Sequence, residues 1–279
     1  MKNLLIYINP NHSFSEEYVT MSKIQIDNSL DLGWKPEDIM MVTNFPYEYK
    51  GIKSIVVGDE YFYTPPSTLK FPAVARMFED GLIKNDLYWM HDFDSFQLVP
   101  LDSDERIIQE MGGRDMGLCD YGRRHKVNGG SVFFTNRAGD IFKRIFEVME
   151  KYGIEEERAT MLLTNNNESW ATKSSITAEN QYVPAGISDS ELLRNRIMKM
   201  NVTYNIWAGN IQGCYRIAFK PLKAIHFYPF YEKATRNSPH ENKIDYFMHG
   251  KNIMGKVLMT PRLKKIFNKH GLYGNPTSN

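Results

Sequence analysis

The stretch that decides the fold is Leu87-Tyr88-Trp89-Met90-His91-Asp92-Phe93-Asp94-Ser95, an apolar run that ends in two aspartates one residue apart. Consecutive bulky side chains at its start predict a buried strand rather than a solvated helix. Ligands of open α/β sheets bind outside the carboxyl ends of the strands, and this strand would deliver two carboxylates to that edge. Because Mg²⁺ and Mn²⁺ prefer oxygen ligands and often share them with phosphates, the stretch predicts a metal-bound diphosphate site.

A second aspartate pair follows at Asp102 and Asp104. It lies in a polar segment that starts at Pro100 and has no strand before it, so we interpret this pair as a turn or a helix N-cap. The competing interpretation of the first pair, Asp92 and Asp94, is likewise a plain strand-to-loop turn.

Size and composition allow one large α/β domain, or one domain with an appendage. The chain has 279 residues, 42% hydrophobic and 13% aromatic residues and a net charge of +1, which excludes a disordered or fibrous class and gives no global attraction to nucleic acid or membrane. Cys119 and Cys214 lack metal-ligand spacing and predict reduced residues in a cytosolic protein. The apolar run Leu4–Ile8 is too short for a signal peptide, and no run reaches the 18 residues of a membrane span.

The first predicted elements follow the order strand, helix, strand, loop, strand, which is that of a parallel sheet with crossovers. Strands are predicted at Leu4–Ile8, Ile39–Val42, Ser54–Val57, Ser131–Thr135 and Ala224–Phe230, and helices at Glu16–Leu32, Phe71–Gly81 and Ala138–Tyr152. Residues 164–190 are polar and predict a long loop or lid.

The residues after Asn242 carry an excess of basic side chains and predict a helix around Pro261–His270. One interpretation is a helix packed on the main domain with a solvated basic face. The other is a surface for a polyanion such as DNA, RNA or anionic lipid.

Several segments, in their order along the chain, resemble those of GT-A fold glycosyltransferases, especially the retaining group that contains glycogenin and bacterial lipopolysaccharide galactosyltransferases. The matching segments are Ala75-Arg76-Met77-Phe78, Tyr88–Asp94, Asn128–Phe134, Glu155-Glu156-Glu157, Met200–Asn205 and Lys223–Phe227. The resemblance covers residues 4 to about 233. It implies an α/β, Rossmann-like GT-A fold with a single mixed sheet flanked by helices. The corresponding domains are a catalytic domain at residues 1–233 and a basic helical extension at residues 234–279.

The resemblance also implies the site residues. The metal ligands would be Asp92, Asp94 and His226, holding Mn²⁺ or Mg²⁺. The nucleotide-sugar donor would contact Tyr7, Asn9, Arg76, Asp92, Gly129, Gly130, Asn205 and Lys233, with Arg76 at the diphosphate. The catalytic group would be Glu156, Glu157 and Asn128.

Each of these residues also has a plainer interpretation. His226 on an aromatic strand is typical of a satisfied core histidine, and Arg76 on a helix is typical of a solvated charge. Asn128-Gly129-Gly130 is a common turn, and three successive glutamates suit the first turn of a helix. The chain also departs from the family after His226, where Lys233 would replace the family's phosphate-binding lysine.

The function that these patterns favour is metal-dependent transfer of a sugar from a nucleoside diphosphate sugar, with uridine as the expected base, to a hydroxyl acceptor. A nucleotidyltransferase is the rival enzyme, although the loop from Asn9 to Phe14 lacks the Gly and Arg of its phosphate loop. A non-catalytic nucleic-acid-binding protein is the rival from another class. Two acceptors stay open: hydroxymethylpyrimidine DNA, as in phage DNA modification, and a cell-surface glycan.

Overall fold

The computed structural model describes residues 1–63, 70–120, 127–164, 193–207, 211–230 and 259–272. Seven strands among them form the main sheet: β1 (Lys2–Tyr7), β2 (Ile39–Thr43), β5 (Ile55–Val56), β6 (Leu87–His91), β8 (Met116–Asp120), β9 (Val127–Thr135) and β10 (Ile197–Met200). Their order across the sheet is β10-β8-β9-β6-β1-β2-β5. A short hairpin, β3 (Glu48–Tyr49) with β4 (Ile52–Lys53), lies outside this sheet.

The sheet is mixed because β9 runs against its neighbours. Strand β1 pairs in parallel with β2 and β6, whereas β9 is antiparallel to both β6 and β8. The carboxyl ends of β1 and β6 therefore lie at the same edge, where Asp92 follows His91. This mixed sheet confirms the predicted α/β class.

Helices cover both faces of the sheet. Helices α2 (Lys70–Glu79), α4 (Gly139–Tyr152) and α5 (Glu156–Leu163) enclose one core with strand residues that include Leu4 and Met90. Helix α1 (Glu16–Asp31) packs on the other face around Leu5 and Met41. Neighbouring β1 residues serve opposite cores because strand side chains alternate between faces. Helix α3 (Asp104–Glu110) follows its N-cap Ser103, so the second aspartate pair flanks a helix N-cap and neither aspartate is itself the cap.

A second sheet, of three strands, lies beside the edge of the first sheet at which β1 and β6 end. Strand β12 (Ala224–His226) pairs in parallel with β11 (Ile206–Trp207) and antiparallel with β7 (Ser95–Gln97). Helix α6 (Ile211–Ile217) and helix α7 (Pro261–Lys269) contribute Cys214, Leu263, Ile266 and Phe267 to the core beneath this sheet.

The predicted helices and strands listed above are all present, with shifted ends. The strand predicted at Ala224–Phe230 ends at His226, and the one predicted at Ser131–Thr135 begins at Val127. Both cysteines are buried thiols that form no disulfide. No helix among the described residues is long and apolar enough to cross a membrane. The predicted lid at 164–190, apart from Thr164, and the proposed domain boundary after residue 233 lie outside the described residues.

Candidate metal and donor site

The two aspartates of the opening stretch lie in a tight turn between β6 and β7. The Ser95 amide donates to the Asp92 carbonyl over 3.0 Å and closes the turn, while the Asp92 amide donates to the Gly130 carbonyl of β9 over 3.0 Å. The turn is therefore fixed to the central sheet, and it presents both carboxylates at the carboxyl edge of β6.

Strand β12 brings His226 to the same place. His226 pairs with Ser95 in the antiparallel ladder between β12 and β7, and the Phe227 amide donates to the Asp94 carbonyl over 2.9 Å. The His226 Nε2 atom lies 3.1 Å from Asp94 Oδ1 and 3.7 Å from Asp92 Oδ2. One ligand atom from each of the three residues lies within 4.8 Å of the others.

The three residues fit a divalent metal ion. Neighbouring ligands of an octahedral ion with bonds near 2.1 Å stand about 3 Å apart, close to the His226–Asp94 separation of 3.1 Å. Burial alone would lower the pKa of His226, but the carboxylates of Asp94 and Asp92 offset burial and raise it. The site thus attracts positive charge, and its two carboxylates and one imidazole could hold a divalent metal ion.

Lys70 is a functional candidate that the sequence interpretation missed. It is the first residue of α2, and its ammonium contacts Asp92 Oδ1 and donates to the Gly129 carbonyl over 2.9 Å. Burial would lower the pKa of Lys70, but the carboxylates of Asp92 and Glu156 offset burial and raise it. A lysine in the first turn of a helix is unfavourable because it lies at the positive end of the helix dipole. This unfavourable position was the signal in the sequence that could have indicated a functional role for Lys70.

Gly129 and Gly130 leave room for two of the predicted site residues. A Cβ atom on Gly130 would lie 2.6 Å from the imidazole of His226, and one on Gly129 would lie 2.5 Å from Glu156 Oε1. These contacts are closer than real side chains make. The two glycines therefore let His226 and Glu156 pack directly on β9.

The two glutamates at the start of α5 face this strand from the other side. Glu157 Oε1 accepts from the Gly129 amide over 2.9 Å, whereas Glu156 is 1% exposed and its Oε2 has no hydrogen-bond partner among the described residues. Burial raises the pKa of Glu156 well above its ordinary value and also raises that of Glu157. Two consecutive acidic residues that hold protons more tightly than usual therefore lie beside the candidate metal ligands.

Asn128 and Asn205 form a buried amide pair at the same edge. Asn128 Oδ1 accepts from the Gly130 amide over 2.6 Å and from Asn205 Nδ2 over 2.7 Å. Asn205 Oδ1 in turn accepts from the Ser95 hydroxyl over 3.3 Å. These bonds link β9 to the end of the metal turn.

Tyr7 and Asn9 lie at the carboxyl end of β1. The Tyr7 ring packs against Tyr18 and Phe93 with centroid separations of 4.5 and 6.0 Å, and its hydroxyl accepts from Asn9 Nδ2 over 3.1 Å. Burial and the charge of Asp94 raise the pKa of the Tyr18 phenol. An aromatic wall therefore adjoins the metal turn.

One predicted donor contact, that of Arg76, is not brought to this place. The guanidinium of Arg76 lies on the exposed face of α2, where it pairs with Asp80 at 3.3 Å and Glu79 at 3.5 Å. Its contact with a diphosphate stays a prediction. Lys233 lies outside the described residues.

Comparison with solved structures identifies the fold. The chain is similar to the galactosyltransferase LgtC in complex with donor and acceptor sugar analogues, with a TM-score of 0.51, 12% identity and coverage of 99% of this chain and 98% of that one. It is also similar to the glycosyltransferase GlyE of Streptococcus pneumoniae TIGR4, with a TM-score of 0.52 and 12% identity, and here it covers 99% of its own length but 66% of GlyE. Neither models of protein families nor curated proteins match the sequence. The chain therefore has the GT-A fold of glycosyltransferases, as its sequence motifs predict.

Proposed function

We propose that this protein is a metal-dependent glycosyltransferase that moves a sugar from a nucleoside diphosphate sugar to a hydroxyl acceptor. The observation that carries the proposal is the meeting of Asp92, Asp94 and His226 at the carboxyl edge of a GT-A sheet. A uridine diphosphate sugar is the first donor to test. The likeness to a galactosyltransferase solved with donor and acceptor sugar analogues supports sugar transfer as the type of reaction.

Mn²⁺ or Mg²⁺ held by the two aspartates and the histidine would neutralise the charge that develops on the departing diphosphate. Lys70 adds a second positive charge beside Asp92. It is placed to make a charge-assisted hydrogen bond to the same leaving group. The aromatic wall of Tyr7 and Tyr18 excludes water from one side of this charge cluster, which strengthens its electrostatic interactions.

The carboxyl groups of Glu156 and Glu157 are the candidates for proton transfer and for stabilising positive charge on the sugar. Glu157 is fixed by its bond from the Gly129 amide, so one carboxyl oxygen keeps a set position on β9. A raised pKa makes a carboxylate a stronger base, which suits removal of the proton from the acceptor hydroxyl. Asn128 completes the set as an amide held by Gly130 and Asn205.

The test is hydrolysis and transfer assays with a panel of nucleotide sugars, with Mn²⁺ and with EDTA. We expect turnover with Mn²⁺ and none in EDTA, and we expect Asp94→Ala to abolish turnover while the protein stays folded. Asp104→Ala is the matched control, because Asp104 belongs to the second aspartate pair and contacts the amino terminus instead. Full activity of Asp94→Ala in EDTA would reject the metal site.

The acceptor remains to be chosen between a glycan and hydroxymethylpyrimidine DNA. The basic C-terminal residues that support DNA are partly used inside the protein: Arg262 donates to Asn28 Oδ1 over 2.6 Å, and Lys269 pairs with Asp27. Lys265 on α7 is exposed and is the residue to test for contact with a polyanion. Labelled nucleotide sugar offered with both acceptors decides the question, and label found only on glycans would leave the DNA acceptor without support.

A further inference from the structure

Gln25 is a buried polar residue of α1 that the proposed reaction does not use. Its side chain is within a helix face that packs on the sheet, and it is 1% exposed. The amide nitrogen Nε2 donates two hydrogen bonds, to the Phe93 carbonyl over 2.7 Å and to the Ser95 carbonyl over 2.9 Å. These two carbonyls belong to the residues on either side of Asp94.

Both hydrogens of one NH₂ group are therefore used to hold the backbone that carries a proposed metal ligand. The second carbonyl also belongs to the residue that pairs with His226 in the ladder between β7 and β12. By holding Phe93 and Ser95, Gln25 fixes the position of Asp94 directly. It fixes the position of His226 indirectly, through the pairing of β7 with β12.

The other bonds of this turn leave a role for such a clamp. The Asp94 carbonyl accepts from Phe227, and the Asp92 amide donates to Gly130, so β12 and β9 hold the turn from two sides. Gln25 holds it from α1. A position held from three separate elements loses less conformational freedom when a metal ion binds, which raises the affinity.

We infer that Gln25 is a positioning residue that sets the geometry of Asp94 and His226 for the divalent ion. This inference rests on the proposed metal site. Groups that orient metal ligands through hydrogen bonds affect metal affinity by roughly 10–100-fold when they are removed. We expect the same size of effect from Gln25→Met, which keeps the length of the side chain and removes both donors.

Asn28 offers a matched control on the same helix. One turn after Gln25, its Nδ2 donates to the Gln97 carbonyl of the same strand over 3.0 Å, and it is fully buried. Gln97 lies two residues beyond the metal turn. Asn28→Leu therefore removes a comparable buried bond between α1 and β7 without releasing the carbonyls beside Asp94.

The experiment measures Mn²⁺ affinity by calorimetry and thermal stability for wild type and both variants, without donor. The inference predicts a roughly 10–100-fold weaker Mn²⁺ affinity in Gln25→Met and wild-type affinity in Asn28→Leu, even where both variants melt at lower temperature. Equal Mn²⁺ affinity in Gln25→Met and wild type overturns the inference and leaves the metal site intact. If wild type itself binds no Mn²⁺, the proposed metal site fails and the inference fails with it.

A second variant protects the test against misfolding. Gln25→Asn keeps the amide but is one methylene shorter, so it cannot reach both carbonyls. It is expected to bind Mn²⁺ more weakly than wild type in the same assay, and wild-type affinity there also overturns the inference.

Discussion

The ammonium of Lys70 contacts the carboxylate of Asp92, so helix α2 begins with a positive charge directed at a proposed metal ligand. The Lys70 side chain is 13% exposed, whereas that of Arg76, six residues later, is 40% exposed and pairs within its own helix. Of the two basic residues of α2, Lys70 therefore lies at the proposed metal site, whereas Arg76 lies on the helix surface.

Lys70→Met is expected to lower kcat/KM for the nucleotide sugar. The expected loss of transition-state stabilisation is about 2–4 kcal/mol, the scale for removing one preorganised charged group. Arg76→Met is the matched control on the same helix, and its effect is expected to be smaller. Steady-state kinetics with Mn²⁺ at saturation measures both. A larger loss in Arg76→Met would assign the diphosphate contact to Arg76, as the resemblance implies, and not to Lys70.

Glu156 predicts a change of stability with pH. Because burial raises its pKa, the folded protein keeps this proton at pH values where the unfolded chain, with a pKa of about 4.3, has lost it. The folded state then binds more protons, so its stability falls as pH rises above that value. Glu156→Gln cannot titrate and should remove this loss.

The measurement is urea unfolding of wild type and Glu156→Gln in EDTA from pH 5 to pH 8. The difference in the free energy of unfolding should grow in favour of the variant as pH rises. A difference that stays constant over this range would contradict a raised pKa at Glu156.

Most of the sheet was predictable because its strands are apolar runs with clear ends. The turn at Asp92 and Asp94 was also visible, since a carboxylate pair at the end of a buried strand is an uncommon local pattern. Strands β8 and β10 were not predicted: they pair across about 80 residues of chain, and β8 contains Gly117, whose Cβ would lie 2.4 Å from Met200. Local periodicity carries no information on such pairing.

The residues that support the site were harder to predict than the site itself. Gln25, Asp27 and Asn28 lie on the buried face of α1, but hydrophobic periodicity assigns polar residues to solvent. Their partners are backbone carbonyls and charges from distant segments, as with Asp27, which pairs with Lys50 and Lys269. Only the tertiary structure shows that such groups are satisfied.

The two glycines of β9 predict separate effects on the site. Gly130→Ala should displace His226, whose ring a Cβ would approach to 2.6 Å, and should weaken Mn²⁺ affinity. Gly129→Ala meets Glu156 instead and should change Mn²⁺ affinity less. Calorimetric titration of both folded variants makes the comparison. Equal Mn²⁺ affinities in Gly130→Ala and wild type would contradict the expectation that metal binding depends on the packing of His226 against Gly130.

Lys269 is expected to stabilise the fold rather than to bind a partner. Asp27 is 2% exposed and is contacted by Lys269, His270 and Lys50, which hold its pKa at about 2 although burial alone would raise it. Lys269→Glu should lower the free energy of unfolding by about 1–3 kcal/mol, because a buried charge loses a partner. Lys265→Glu on the exposed face of α7 should change it by less than about 0.5 kcal/mol. Urea unfolding at pH 7 measures both, and equal stability of the two variants would contradict the docked position of α7.

Lys265→Glu also tests whether α7 binds nucleic acid. If Lys265 contacts a phosphate backbone, wild-type binding to duplex DNA should weaken steeply with salt, because each neutralised phosphate releases condensed counterions. The variant should then bind more weakly than wild type, and the slope of log affinity against log salt should fall by about one. Hydrolysis of the nucleotide sugar should be unchanged in Lys265→Glu, since the proposed metal ligands Asp92, Asp94 and His226 lie on other elements. DNA binding that is the same in both proteins at every salt concentration would leave α7 as a packed helix with a solvated basic face and would favour the glycan acceptor.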